Sequence, residues 1–318
     1  MTKRHVSLAV LFFAMALIMP YRAMALTISP VKIEVTGDPG QTLTGDLELY
    51  NEQADQETLY SSTDNFEARG ETGVPFFLSE KTGLASWIKT DDKVILKSKE
   101  TKKIAYTITI PKNAEPGGYF SAILWGMTPP GATAAGQVSV GGRLGVLILL
   151  KVSGQVKEGG GLLDFNASKK ISSSLPISFS FLFNNTGGDR TVPQGDVTVK
   201  NLFGFTDVVI PSNPNQGSVL PGSMRKFEVL WGDTGTTDNT GFFSAAGQQW
   251  SDFHFGFYTA SIKITYGLSG QVANASYSFF IVPWQLLLII AIVLFVVGFF
   301  SKIGIKKYNR WIIAKARQ

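Results

Sequence analysis

Few side chains here could move a proton or hold a metal. The 318 residues include two histidines and no cysteine. His5 lies in the opening residues, and His254 sits in Phe253-His254-Phe255, inside a strand expected over 253–266. A lone histidine in a strand is ordinarily a packed or surface residue, and no nucleophile-elbow motif accompanies it. A structural zinc site needs several nitrogen or sulfur ligands, which one mature histidine and no cysteine do not supply. Acids come close at Asp91-Asp92 and at Asp46 with Glu48. The second pair shares one strand face, where carboxylates simply meet solvent. A glycosidase needs two carboxyls facing each other across a cleft. No glycine-rich phosphate loop follows a strand and opens a helix. The expectation is a chain without catalysis, cofactor or metal.

Binding chemistry is better represented. Phe76 and Phe77 form an aromatic island in a loop-rich stretch, and Trp87 follows in a short strand expected over Ala85-Ser86-Trp87-Ile88. These three side chains rim a ligand groove or plug the end of a sandwich. Phe242, Phe243 and Trp250 lie in or beside the polar, glycine-rich stretch Thr234–Gly247, read as an exposed loop. They suit a partner patch, contact with a bilayer surface, or packing. Exposed edge strands can accept an extended partner by β-augmentation, and the opening segment Thr27–Val35 is the first candidate for such an edge.

The elements that position these residues read as β-structure between two apolar segments. Pro283 to Lys302 (PWQLLLIIAIVLFVVGFFSK) is free of charge from Trp284 to Phe300, long enough at ~1.5 Å per residue to cross a ~30 Å hydrocarbon core. Trp284 is placed as an interfacial anchor, and Lys302, Lys306, Lys307, Arg310, Lys315 and Arg317 follow without an acid. That asymmetry expects a cytoplasmic C-terminal tail. At the other end, Lys3 and Arg4, an apolar run from Val6 to Met19 and Ala23-Met24-Ala25 read as a cleaved signal peptide. The expected organisation is a signal peptide over 1–25, sandwiches over 26–153 and 154–282, a transmembrane helix over 283–301 and a basic tail over 302–318.

Of the 29 Lys and Arg residues, three lie in the signal and six in the tail, leaving 20 against 24 acids. The part between is therefore slightly acidic, without the basic excess a nucleic-acid surface needs. It also lacks disulfides, although the compartment would permit them. The 33 glycines, 14 prolines and 12% aromatic content, with turn signals every ~8–12 residues, point to immunoglobulin-like sandwiches. An internal echo supports two of them. Gly118-Tyr119-Phe120-Ser121-Ala122 matches Gly256-Phe257-Tyr258-Thr259-Ala260, each after a basic-headed strand, and early strands end at Asn51 and Asn184. The fold class is thus all-β, two tandem Ig-like sandwiches followed by one transmembrane helix.

Ile28-Ser29-Pro30, Asp38-Pro39-Gly40-Gln41, the strand closing at Asn51, and the run from Ile110 through Pro116-Gly117-Gly118-Tyr119 together resemble the WxL-interacting proteins of bacterial cell surfaces. The plan of signal peptide, two Ig-like domains, one C-terminal helix and a basic tail is similar too. The resemblance implies peptidoglycan binding by the first domain and partner binding by the second, with Tyr119 and its turn as scaffold. Trp284-Gln285-Leu286 spells W-x-L but falls in the apolar helix. The expected function is a non-catalytic, membrane-anchored envelope protein that binds wall polymer, surface proteins or both. The alternatives are a membrane-tethered assembly factor that lends an edge strand to secreted subunits, and an accessory subunit of an envelope enzyme.

Overall fold

The computed structural model describes residues 26–78, 80–130, 142–233 and 241–315. The expected signal peptide and residues 79, 131–141, 234–240 and 316–318 lie outside them. The chain divides into two units. One holds the residues up to Phe66 and Phe77–Gly154, and the other holds Glu67–Phe76 and the chain from Gln155 onward.

The first unit is a two-layer sandwich. One sheet has the order β1 (Leu26–Ser29), β3 (Thr42–Asn51), β8 (Thr101–Thr109), β6 (Ile88–Thr90). The other runs β2 (Lys32–Gly37), β10 (Leu144–Val152), β9 (Gly117–Gly126), β4 (Glu57–Ala68), β5 (Pro75–Leu78), with β7 (Lys93–Leu96) also beside β4. Period-two alternation supplies the core: Leu47, Leu49, Ile104 and Ile108 from one layer meet Leu59, Ile123, Trp125 and Ile148 from the other. The expected strand at Ala85–Ile88 is instead one helical turn, α1 (Gly83–Trp87). Asn65 causes this: its side chain donates to the Thr82 carbonyl at 2.6 Å and accepts from the Ala85 N–H at 2.9 Å.

The second unit repeats the strand path. Its sheets are β11 (Gly160–Ala167), β13 (Ile177–Asn185), β16 (Ser223–Trp231), and β12 (Ile171–Ser172), β18 (Gln271–Ile281), β17 (Gly256–Tyr266), β14 (Gln194–Asn201), β15 (Thr206–Pro211). In both units the opening segment is split between layers. β1 and β11 run antiparallel to β3 and β13, whereas β2 and β12 run parallel to the last strands β10 and β18. The core is aromatic: Phe179 lies 5.6 Å from Phe279, and Phe181 stacks on Phe227 at 4.9 Å.

Each unit also closes its second full strand with a buried asparagine. Asn51 ends β3 and Asn185 ends β13. The partner of Asn51 is therefore Asn185 rather than the expected Asn184, because alternation along β13 turns Phe183 and Asn185 inward.

Gly195, on β14 opposite Ile264, permits the closest backbone approach in the sheet: a Cβ there would lie 1.8 Å from the Lys263 carbonyl oxygen. Gly195→Ala is expected to destabilise the second sandwich by about 2–3 kcal/mol, read as a lower thermal midpoint.

The final strand ends at Ile281, and α2 (Phe242–Ser251) packs against the start of α3 (Trp284–Lys315). Within α3 the apolar window has mean hydropathy 2.8 and is 6% buried, which is not how a core helix sits. The helix passes the expected end at residue 301 and carries the basic residues in its own last turns. Among the described residues of this stretch there is no proline to stop it.

Candidate binding edges and an aromatic end of the second sandwich

The groups that could do acid–base chemistry are dispersed. His254 does not sit inside a strand; it lies in the connection from α2 to β17, which begins only at Gly256. Its ring meets Trp231 edge-on at 5.0 Å, and its Nδ1 is 3.4 Å from an Asp252 carboxylate oxygen. The acid comes from two residues upstream on the same connection, so the pair orients the ring against Trp231. Asp46 and Glu48 lie on the outward face of β3, with Glu48 3.6 Å from Lys103. Asp91 and Asp92 sit in the exposed turn between β6 and β7. Among the described residues no group of three or more His, Asp or Glu could hold a metal.

The aromatics of the first sandwich do not share one groove. Trp87 packs 4.7 Å from Tyr119 against the core. Phe77 packs 6.1 Å from Phe66, which lies 6.0 Å from Phe120. Tyr119 and Phe120 are consecutive on β9 and face opposite sides of the sheet, so Trp87 and Phe77 are separated by it. Phe76 alternates away from Phe77 and lies under the Arg69 guanidinium, 3.4 Å from the ring centre.

In the second sandwich the expected loop around Phe242, Phe243 and Trp250 is the helix α2. What holds it is Gln249, 2% exposed. Its side-chain nitrogen donates to the Gln285 side chain, and its oxygen accepts the Leu286 N–H at 3.0 Å. Phe242 meets Trp284 at 5.8 Å, while Phe243 and Trp250 stay exposed. On α3, Lys302, Lys306 and Arg310 recur every four residues along one side, with Lys307 beside them, and all four are exposed. Trp284 and the Tyr308–Trp311 pair bracket about 40 Å of helix, the span of a bilayer with its interfaces.

The sheet edges differ in how they are guarded. The expected edge Thr27–Val35 is split between β1 and β2, each the end strand of its sheet, β1 without a charge. β1 pairs with β3, β2 pairs with β10, and Lys32 and Glu34 face outward as an ion pair at 2.7 Å. The β16 edge carries Lys226 with Glu228 at 2.9 Å, and its Lys226 N–H donates to the Glu71 carbonyl at 2.8 Å. Such charges block pairing with another strand. β15 is different. It has β14 as its sheet neighbour, bears one charge (Asp207), and presents Val209 outward while Val208 and Ile210 pack on the core. The Tyr258 phenol is pushed above its ordinary range by burial, with Asp207 adding to the shift. Nothing in the sequence of Thr206–Pro211 marks it as an edge; only the sheet order does.

No family model matches the chain, and no curated protein matches it. Solved structures with a similar backbone course include the class 5 fimbriae chaperone CfaA, at TM-score 0.37 and 13% identity over 80% of this chain and 99% of that one. The Pseudomonas aeruginosa chaperone CupB2 is at 0.35 and 8%, over 80% and 100%. A PapD-like domain of human CEP192 is at 0.30 and 16%, over 43% and 92%.

Proposed function

We propose that this chain is a non-catalytic, single-pass membrane protein of the cell envelope, with both sandwiches outside the cytoplasm and its basic helix end inside. Its second sandwich engages extended segments of secreted or surface proteins along β15 and so serves their assembly. The observation that carries this reading is the contrast among edges. β2 carries a Lys–Glu pair, and β16 carries one together with the Glu71 carbonyl on its Lys226 N–H, while β15 exposes Val209 with a single acid.

A second reading, capture of wall polymer, is favoured by a shallow polar depression on the outer face of the β14–β17–β18 sheet. Thr198, Lys200, Ser261, Lys263, Asn274 and Ser276 line it, a hydroxyl- and amine-rich surface suited to glycan. The resemblance to WxL-interacting proteins assigns wall binding to the first sandwich instead.

Because the chain has no cysteine, Val209→Cys gives a single attachment point for a photo-crosslinker in the full-length protein. Irradiated cells are expected to yield adducts that a protease removes and a muramidase leaves. The same probe at Lys226→Cys, on the guarded edge, is expected to give roughly tenfold fewer. Equal adducts at both positions would refute the edge reading. Adducts that a muramidase removes would establish the wall reading in its place.

A further inference from the structure

The exposed aromatics of the second unit are gathered at one end. The β14–β15 hairpin tip carries Leu202, Phe203 and Phe205, all exposed, with Phe203 at 81%. Strand register fixes where that tip lies. Asn201 pairs with Tyr258, and Gly256 pairs with Ile281, three residues before α3 begins. The tip, the start of β17, the end of β18 and the start of the apolar helix are thus all at the same end of the sheet. α2 is there too, tied to Gln285 and Leu286 and exposing Phe243 and Trp250.

The outer face of this sheet changes character along its strands. At the helix end Phe257 lies 4.4 Å from Phe280 and Phe255 lies 6.0 Å from Phe280. One pair further on stand Thr259 and Ser278, bonded at 3.1 Å, then Ser261 with Ser276, then Lys263 with Asn274. Two residues of strand span about 7 Å, so the face turns from aromatic to polar within the depth to which interfacial segments enter a bilayer, roughly 5–10 Å. The charges bordering the aromatic end include Lys170, whose carbonyl accepts the Phe280 N–H at 2.9 Å, and Lys200, opposite Thr259.

We infer that this end of the second sandwich is seated in the outer-leaflet interface, with the Leu202–Phe205 hairpin tip, Phe255 and Phe257 at the start of β17 and the exposed aromatics of α2 inserted among lipid headgroups. The occupant is the bilayer because α3 emerges from the same apolar end, with Trp284 against Phe242. The inference rests on the reading of α3 as a membrane anchor. Its consequence is that the sandwich is held at a fixed height and tilt, with the β14–β15 hairpin entering the interface tip first and the β15 edge rising from it.

The test uses single-cysteine variants of the full-length protein carrying an environment-sensitive fluorophore, in phosphatidylcholine–phosphatidylglycerol vesicles with or without lipid bearing a nitroxide near the headgroup. Phe203→Cys, Phe243→Cys and Phe257→Cys are expected to shift to the blue and lose emission roughly twofold with the nitroxide lipid. Lys263→Cys is expected to show neither change. Val297→Cys, in the middle of α3, reports the anchor through nitroxide placed deep in the acyl chains. If Val297→Cys is quenched while Phe203→Cys and Phe257→Cys are not, the seating is wrong and the anchor stands. If Val297→Cys is also unquenched, the anchor reading itself has failed. A Phe203 label shielded only at high protein concentration and unquenched in vesicles would overturn the seating and assign the patch to a second copy of the chain.

Discussion

Replacing Asn185 with alanine is expected to lower the unfolding midpoint of the second sandwich by about 10–20 °C, from a loss of roughly 3–4 kcal/mol. Asn185 is 1% exposed. Its side-chain nitrogen donates to the Asp189 and Val219 carbonyls, both at 2.8 Å, and its oxygen accepts the Gly187 N–H at 2.9 Å. Alanine removes all three bonds at a buried position, leaving the Val219 carbonyl only the Thr191 N–H at 3.0 Å, which costs more than the hydrogen bonds return in exchange with solvent. Asn185→Asp is expected to be at least as harmful, since it turns a carboxylate oxygen toward two carbonyl oxygens. Asn51 does the same work in the first unit, bonding the Asp55 and Lys97 carbonyls and the Gln53 N–H. Asn51→Ala should therefore depress only the first unit's transition. Thermal unfolding followed by near-ultraviolet circular dichroism separates the two. A midpoint unmoved by Asn185→Ala would mean that Asn185 does not hold the second sandwich together.

The second large effect concerns α3. Leu294→Arg with Val297→Arg puts two guanidinium groups near the middle of the apolar run, at about 2.5–3.5 kcal/mol each for insertion. The combined cost corresponds to a fall of roughly ten-thousandfold to a hundred-thousandfold in the inserted population. The full-length double variant is expected in the soluble fraction after an alkaline membrane wash, while Leu294→Ala with Val297→Ala stays in the pellet. Retention of the double arginine variant in the washed membrane would mean that α3 is held by something other than lipid.

The fold class was legible where one residue in two must be apolar. Burial alternates along Ile177–Asn185 and Phe257–Tyr266, and residue type follows it except at Leu182, Asn185 and Phe257. The long helix was legible from composition alone. The errors fall where a distant side chain overrides local pattern. Ala85–Trp87 reads as a strand until Asn65 caps it from β4. The residues from Phe242 read as loop because Gly241 and Gly247 dilute the helical period; the helix is held by Gln249, which reaches across to Gln285 and Leu286. Edge status was invisible for the same reason: whether Lys32 and Glu34 guard an edge, or Val209 leaves one open, depends on which strands end up outermost. The aromatics of the second unit were visible as residue types but not as a group. Phe203, Phe243 and Phe257 are brought to one end by strand register, not by proximity in the chain.

The parallel pairing of each unit's opening segment with its last strand constrains the order in which the protein can be made. In the export proposed above, Lys32–Gly37 finds its partner only when Leu147–Val152 has crossed to the far side of the membrane. A chain delivered from its N-terminus must hold that segment uncommitted while the rest of the first sandwich arrives. For the second unit the wait ends later. Ile171-Ser172 pairs with Phe280-Ile281, and α3 begins three residues after that. In that proposed export, closure of this sandwich coincides with entry of the apolar helix into the translocation machinery, so the unit completes its fold as its export stops.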